Sequence, residues 1–299
     1  MSHQVLTSHS SGSITQQTLS SGIDVILVEH NSCRASICLY GGHVLSWQPR
    51  AQRDVFWLSK AAQYQQGKAI RGGIPICWPW FGPNIQADGT NGGNHGFARN
   101  SEWQLSRYQV SEDQVMIELT FSGEQCHAMW PAKFKLTQQL VFGETFSQSL
   151  KMTNLSEQSV RYSSALHSYF AVSNPKYTQV LGLTPCLFDN KISGKHQQQD
   201  RLQNCIGPID RIYYQEQPIQ ELQQEIIDEQ WQRKIIVRSE NCQQWVLWNP
   251  GKDIAESMSD IHPNGENEFV CLEAANTNWQ SIEPDQYIIV AQHISLEPL

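Results

Sequence analysis

The segment "GIDVILVEHNSCRASICLYGGHVLSWQP", residues 22–49, gives the clearest indication of the fold class. Its short apolar runs alternate with polar residues at a period of two and are broken by Asn, Gly and Pro, which is typical of β-strands joined by turns. Similar runs recur towards the C-terminus, among them "QVMIELTF", "FKLTQQLVFG" and "QYIIVAQHISL". Roughly a dozen such strands, with no alternating helices, predict an all-β protein built as a large antiparallel β-sandwich.

The segment "IQELQQEIIDEQWQRK", residues 219–234, does not follow this pattern clearly. Its composition and a tolerable 3.6-residue period fit a helix, and the same letters fit two strands around a polar turn. On the residues alone both interpretations stay open.

The 299 residues contain no linker rich in Ser, Gly and Pro, so we expect a single domain over 1–299. The start, "MSHQVLTSHSSGS", has no basic and apolar leader, which favours a flexible polar tail over residues 1–13 and a cytoplasmic protein. Mean hydropathy is −0.45 and no apolar run reaches the length of a membrane span, so we expect no membrane insertion.

Charge and cysteine usage narrow the possible partners. The net charge of −8, from 21 Lys and Arg against 29 Asp and Glu, disfavours nucleic acid, although a few converging arginines could still bind a small anion. The eight cysteines form no C-x-x-C pair, and the histidines show no metal-ligand spacing. Phosphate-loop, dinucleotide-binding, serine-hydrolase and zinc-protease motifs are also missing. We therefore expect neither a metal nor a cofactor.

The segment "IRGGIPICWPWFGP", residues 70–83, places Arg71 in a stretch of Gly and Pro. Glycine permits unusual backbone geometry and proline restricts it, so the segment predicts a rigid loop that could present Arg71 to an anion. The alternative is that Trp78, Trp80 and Phe81 cap a core while Arg71 is solvated.

A second loop, "GNHGFARNSEW" at residues 93–103, presents His95 and Arg99. By itself it fits a surface turn. If Arg99 and Arg71 converged, however, the two guanidinium groups would suit a phosphate.

Three further side chains are candidates for chemistry. Glu273 in "NEFVCLEAAN" continues an apolar strand, where a carboxylate is costly unless paired, so it is a candidate general base or a strand-end glutamate that reaches water. His167 in "SSALHSYFAV" is a candidate proton donor or a core histidine bonded to a carbonyl. Asp210 in "GPIDRIYY" could accept hydrogen bonds from sugar hydroxyls, or form a weak surface ion pair with Arg211.

In chain order, "IRGGIPICWPWFGP", "HGFARNSEW", "SALHSYF", "DRIYY", "VLWNP" and "FVCLEAAN" resemble the glucose-6-phosphate 1-epimerases, or hexose-6-phosphate mutarotases, of the aldose 1-epimerase superfamily. The resemblance runs from about Gly22 to the C-terminus. It implies a β-sandwich of the galactose mutarotase type with its site in a cleft on one sheet, and it favours strands over residues 219–234. We expect a monomer whose partner is a small hexose 6-phosphate.

The resemblance also implies residue roles. The general acid falls on His167 and the general base on Glu273. The phosphate-binding arginines fall on Arg71 and Arg99. Substrate contacts fall on Asp210, His95 and Asn94, where relatives often have a glutamine.

Anomer interconversion needs one base for the C1 hydroxyl proton and one acid for the ring oxygen, so that the sugar ring opens and recloses. We expect the carboxylate and the substrate phosphate to raise the pKa of His167, since the reference value of about 6.5 leaves an imidazole mostly neutral at pH 7. The alternatives are a non-catalytic sandwich that binds a phosphosugar and a mutarotase for unphosphorylated aldoses.

Overall fold

The structure, a computed structural model, describes residues 3–184, 186–214 and 221–299. One short α-helix, α1 (Gly251–Ser257), and three 3₁₀ turns at Ala98–Asn100, Pro175–Tyr177 and Gly265–Asn267 interrupt the strands. The strands are β1 (His3–His9), β2 (Gly12–Thr18), β3 (Asp24–His30), β4 (Cys33–Cys38), β5 (His43–Pro49), β6 (Ile76–Cys77), β7 (Pro83–Ile85), β8 (Asn91–Asn94), β9 (Gln104–Val110), β10 (Val115–Gly123), β11 (Phe134–Phe142), β12 (Phe146–Asn154), β13 (Val160–Leu166), β14 (Tyr169–Ala171), β15 (Thr178–Leu181), β16 (Leu187–Asn190), β17 (Lys195–Gln198), β18 (Ile209–Tyr214), β19 (Glu221–Asp228), β20 (Arg233–Glu240), β21 (Gln244–Asn249), β22 (Phe269–Ile282) and β23 (Tyr287–Pro298).

These strands form three antiparallel sheets and one hairpin. The N-terminal sheet runs β1-β2-β3-β4-β5, and the back sheet runs β15-β19-β20-β23-β12-β11-β10-β9. The front sheet runs β17-β16-β18-β21-β22-β13-β6, with β14 also paired to β22, and β7 pairs with β8. One apolar core joins all three sheets through side chains such as Ile26, Leu150 and Leu272. The predicted all-β antiparallel sandwich is confirmed.

Side-chain alternation along β22 gives the front sheet two different faces. Val270, Leu272 and Ala274 point into the main core. The residues between them, including Cys271 and Glu273, lie on the opposite face, because successive side chains of a strand alternate. Glu273 therefore faces away from the main core, and loops from elsewhere in the chain bury it to 1% exposure.

The N-terminal residues depart from expectation. β1 pairs with β2 from His3↔Gln17 to His9↔Gly12, so a flexible tail over residues 1–13 is wrong from His3 onward. Most polar side chains of β1 face water, while Ile14 of β2 is fully buried and the ladder bonds satisfy the backbone. The single-domain interpretation stays a prediction.

The strand interpretation of residues 219–234 is confirmed where the structure describes them. β19 and β20 pair from Glu221↔Glu240 to Asp228↔Arg233, and residues 219 and 220 lie outside the described residues. Within the described part of the chain, no helix is long and apolar enough to cross a membrane.

Three glutamines form a polar chain through the core. Ser168 donates to Gln292 at 3.0 Å, Gln292 to Gln148 at 2.7 Å, Gln148 to Gln138 at 2.6 Å, and Gln138 to the carbonyl of Gly42 at 2.7 Å. All four side chains are fully buried. A buried polar group is tolerated when it is hydrogen-bonded, and this chain ties the back sheet to Ser168, the residue after His167.

We expect Gln148→Leu to lower the free energy of unfolding by about 2–4 kcal/mol, because an amide acceptor on Gln138 and a donor on Gln292 lose their partner. Urea unfolding monitored by tryptophan fluorescence measures the change. The control is Gln139→Leu, whose side chain on β11 is exposed and which should shift stability by about 0.5 kcal/mol or less. A Gln148→Leu protein as stable as this control would show that the chain contributes nothing.

Candidate active site

A cavity of about 310 Å³ opens on the face of the front sheet that bears Glu273. Its volume lies within the range of roughly 300–1,000 Å³ typical of small-molecule sites. Loops before β6 and after β8, the end of β13, and strands β18, β21 and β22 build its walls. All seven residues singled out from the sequence line it: Arg71, Asn94, His95, Arg99, His167, Asp210 and Glu273.

The backbone of the loop at residues 70–83 is held on both sides. Gly73 donates to the Trp57 carbonyl at 2.7 Å, and the His43 ring bonds the Gly72 carbonyl at 2.7 Å. Gly73 has φ +61°, and a Cβ there would lie 2.1 Å from the Val44 carbonyl oxygen, so a larger residue cannot replace it without movement. The two glycines therefore bring Arg71 against β5 and fix where its side chain starts.

The Arg71 guanidinium has protein partners of its own. Nε lies 3.1 Å from Asp260 Oδ2, Nη2 lies 3.1 Å from the same oxygen, and Nη1 donates to the Tyr169 hydroxyl at 2.7 Å. A guanidinium has five N–H donors, so these three contacts leave two for an anion. The expectation of a solvated Arg71 is not met, because its side chain is held by groups far away in the sequence.

The second loop supplies Arg99, Asn94 and His95. Arg99 Nη2 donates to the Asn94 carbonyl at 2.9 Å, and its buried Nε has no partner among the described residues. His95 Nδ1 accepts from the Gly82 N–H at 3.2 Å, which places the ring proton on Nε2. Burial, together with the charges of Arg99 and Arg71, lowers the His95 pKa to about 3. His95 is thus a neutral donor at the wall of the cavity.

His167 and Glu273 meet across the cavity floor. Nδ1 of His167 lies 3.3 Å from Oε1 of Glu273, and the two side chains are 9% and 2% exposed. The contact lacks hydrogen-bond geometry, which leaves Nδ1 of His167 without a hydrogen-bond partner in the described parts of the chain. The other carboxylate oxygen of Glu273, Oε2, also has no partner there. The imidazole stacks on Tyr169, with ring centroids 4.8 Å apart and planes 5° apart. An imidazole and a carboxyl group therefore lie side by side, each with an unsatisfied polar atom.

Burial shifts the pKa values of Glu273 and His167 in opposite directions. Burial raises the pKa of Glu273 well above its ordinary value, and the charge of Asp210 adds to the effect. Burial lowers the pKa of His167 well below 6.5, and His95, Arg99 and Arg71 lower it further. Without a bound phosphate the pKa of His167 is therefore lowered, because desolvation and the charges of His95, Arg99 and Arg71 disfavour the imidazolium. A raised His167 pKa with substrate bound stays a prediction.

Asp210 lies on β18 opposite Trp248 of β21, two residues along from Val246, which pairs with Glu273. Strand register therefore brings the two carboxylates to one face. Burial raises the pKa of Asp210, and the charge of Lys191 opposes this effect.

The aromatic residues of the first loop support the cavity from behind. Trp78 and Trp80 are 2% and 1% exposed and belong to the main core. Trp78 lies 4.7 Å from the ring centroids of both Trp130 and Phe134. The expectation that these residues cap a core is thus met by Trp78 and Trp80, and the same packing anchors the loop that presents Arg71.

Sequence reasoning missed several residues of this region. Lys191, in the turn after β16, and Trp248 line the cavity, and Asp260 and Tyr169 hold Arg71 from behind it. Trp248 lies within the motif "VLWNP", which had been singled out from the sequence. The residues that flank Lys191 and Asp260, in contrast, contain no motif that indicates a functional site. Among the residues that the structure describes, no three His, Cys, Asp or Glu side chains are grouped to hold a metal ion.

A larger groove of about 740 Å³ lies beside Trp279 and Arg161. Its described lining contains no histidine to pair with a carboxylate, and it lacks the converging arginines of the smaller cavity. The smaller cavity is therefore the candidate active site.

Comparisons with known proteins agree with this geometry. A sequence profile described as Aldose 1-epimerase matches residues 24–286. A protein of Escherichia coli (strain K12), provisionally named glucose-6-phosphate 1-epimerase, is 36% identical over 256 residues, which is 85% of this chain and 83% of that protein.

Solved structures give the same picture. A provisionally named mutarotase from Salmonella typhimurium superposes with a TM-score of 0.86 at 32% identity, covering 96% of this chain and 94% of that one. A galactose mutarotase-like protein from Clostridium acetobutylicum shares the fold, with a TM-score of 0.72 at 13% identity over 97% of this chain and 100% of that one. The resemblance noted from the motifs is confirmed, and the chain belongs to the aldose 1-epimerase family.

Proposed function

We propose that this protein interconverts the α and β anomers of a hexose 6-phosphate, with glucose 6-phosphate as the first substrate to test. The observation that carries the proposal is the 3.3 Å contact between His167 and Glu273 in the cavity that Arg71 and Arg99 also line. Relatives named for glucose 6-phosphate support the substrate class. The two arginines and Lys191 supply positive charge suited to a phosphate.

In the proposed mechanism, Glu273 removes the proton of the C1 hydroxyl while His167 protonates the ring oxygen. The ring opens to the free aldehyde, the C1–C2 bond rotates, and the same two groups act in reverse when the ring closes. Asp210 accepts hydrogen bonds from sugar hydroxyls, and the neutral His95 donates one. Asn94 lies at the cavity mouth and contributes a further amide contact.

For ring opening and closure, His167 and Glu273 together must carry one proton. Imidazole with carboxylic acid and imidazolium with carboxylate contain the same number of protons, and they differ only in which of the two neighbouring groups carries the proton. The positive charges of Arg99 and Arg71 oppose the imidazolium form. A bound phosphate dianion offsets those charges, so substrate favours the form in which His167 is the acid and Glu273 the base.

Magnetisation transfer between the anomers of glucose 6-phosphate tests the function directly. We expect the exchange rate to rise in proportion to protein concentration and to return to the spontaneous rate with His167→Ala. Calorimetric binding of glucose 6-phosphate without faster exchange would instead favour a phosphosugar-binding protein. Equal acceleration with glucose and glucose 6-phosphate would favour a mutarotase for unphosphorylated aldoses.

The pH profile of kcat/KM should report the proton shared by the pair. Activity is expected to fall at high pH, where the pair loses that proton, and this limb follows the raised pKa of Glu273. Asp210→Asn removes a charge that raises this pKa, so the alkaline limb should move to lower pH in normalised profiles. Asp253→Asn, at an exposed position of α1, is the control and should leave the profile unchanged. An alkaline limb that does not move in Asp210→Asn would contradict the assignment.

A further inference from the structure

One buried tyrosine contacts both halves of the cavity. Tyr169 is 1% exposed and lies on β14, two residues after His167. Its hydroxyl accepts the 2.7 Å hydrogen bond from Arg71, and its ring lies parallel to the His167 imidazole at 4.8 Å. A single side chain thus joins the arginine at the anion-binding wall to the imidazole at the reaction centre.

The Tyr169 ring itself has little freedom. Trp57 stacks on it with centroids 5.9 Å apart, and Phe269 and Trp248 lie 5.2 Å and 6.0 Å from it. β14 is paired to β22, where Tyr169 stands opposite Cys271, two residues from Glu273. A ring packed on several sides can serve as a fixed reference for two other groups.

The orientation of the Arg71 guanidinium depends on a second fixed contact. Asp260 binds Nε and Nη2, and this contact alone would let the guanidinium plane pivot about the carboxylate oxygen. The Tyr169 hydroxyl adds a third contact on the remaining nitrogen, Nη1, and so defines the plane. The two uncommitted N–H groups, one on Nη1 and one on Nη2, are then held in a fixed plane, as paired hydrogen bonds to an anion require.

We propose that Tyr169 is a positioning residue that aligns the Arg71 guanidinium for the substrate phosphate through its hydroxyl and the His167 imidazole for proton transfer through its ring. This inference rests on the proposed function. It assigns separate effects to the two parts of one side chain. The hydroxyl acts on phosphate affinity, whereas the ring acts on turnover.

The experiment compares Tyr169→Phe, which retains the ring, with Tyr169→Leu, which removes ring and hydroxyl. With Tyr169→Phe we expect the KM for glucose 6-phosphate and the Kd for inorganic phosphate, measured by calorimetry, to rise together by about tenfold, with a much smaller change in kcat. With Tyr169→Leu we expect kcat to fall as well. A purely structural role would not separate KM from kcat in this way.

The matched control is Tyr162→Phe. Tyr162 is equally buried on β13, and its hydroxyl donates to Gln280 at 2.7 Å, outside the cavity lining. This variant should leave KM, kcat and phosphate affinity unchanged. Phosphate affinity within twofold of wild type in Tyr169→Phe, or equal losses in affinity and kcat, would overturn the proposal.

The measurement of inorganic phosphate binding distinguishes a failure of the proposed function from a failure of the proposed role of Tyr169. If the wild type binds phosphate but does not accelerate exchange, the proposed function fails, and the Tyr169→Phe affinity still decides the role of the hydroxyl. If the wild type accelerates exchange but does not bind inorganic phosphate, the proposed function stands and the assignment of the Tyr169 hydroxyl to phosphate affinity fails.

Discussion

Replacing Glu273 with glutamine should slow anomer exchange of glucose 6-phosphate by a factor of about 10²–10⁴, the usual contribution of a positioned general base. The amide has nearly the same shape but cannot take the C1 hydroxyl proton. His167 remains in place, so residual exchange would measure what the acid and the binding groups achieve alone. Magnetisation transfer at saturating substrate measures the change.

The same substitution should make the protein relatively more stable as pH rises. Because the Glu273 pKa is raised on folding, the folded protein retains a proton that the unfolded chain releases. The wild type therefore loses stability between the ordinary pKa of glutamate and the raised value. Glutamine carries no such charge, so the difference in unfolding free energy between Glu273→Gln and wild type should grow in favour of the variant with increasing pH.

The control for both measurements is Glu266→Gln. Glu266 is also buried, and its carboxylate accepts from Asn267 at 2.9 Å outside the cavity, a bond that glutamine can still accept. This variant should retain wild-type exchange. A Glu273→Gln protein that exchanges anomers at the wild-type rate would reject Glu273 as the base, and one that becomes progressively less stable than wild type on raising pH would reject its raised pKa.

Replacing Arg99 with methionine should raise the KM for glucose 6-phosphate roughly 10- to 100-fold, the range for a lost charge-assisted hydrogen bond. Methionine retains an apolar stem but provides no donor to a phosphate. Among the described residues, the Asn94 carbonyl is the one hydrogen-bond partner of the guanidinium, so the folded protein should tolerate the change better than it would the loss of Arg71. Steady-state kinetics with glucose 6-phosphate and with glucose measure the effect.

The substrate comparison makes the Arg99 experiment specific. Turnover of glucose, which has no phosphate, should weaken far less. Arg107→Met is the control, because Arg107 is exposed on β9 outside the cavity lining. Equal losses with both sugars would mean that Arg99 supports the cavity without recognising phosphate.

Comparison of predicted and observed secondary structure at residues 1–13 and 219–234 shows which strands a local sequence pattern can predict. Alternation predicted the strands in the middle of the chain because the period of two depends only on neighbouring residues. At the N-terminus the polar sequence of β1 did not predict a strand. A hairpin at the edge of a sheet can expose most of its side chains and still satisfy the hydrogen bonds of its backbone. In β19 and β20 the period was ambiguous, and pairing with neighbouring strands decided it.

The amino-acid sequence alone was enough to predict the antiparallel β-fold, the family and seven of the side chains that line the cavity, because periodicity and short motifs are properties of adjacent residues. The partners of Arg71 became known from the three-dimensional fold, since Tyr169 and Asp260 lie 98 and 189 positions away in the chain. The fold also decided the protonation preferences of His167 and Glu273. These depend on burial and on charges that folding brings together, and no local pattern of letters encodes either.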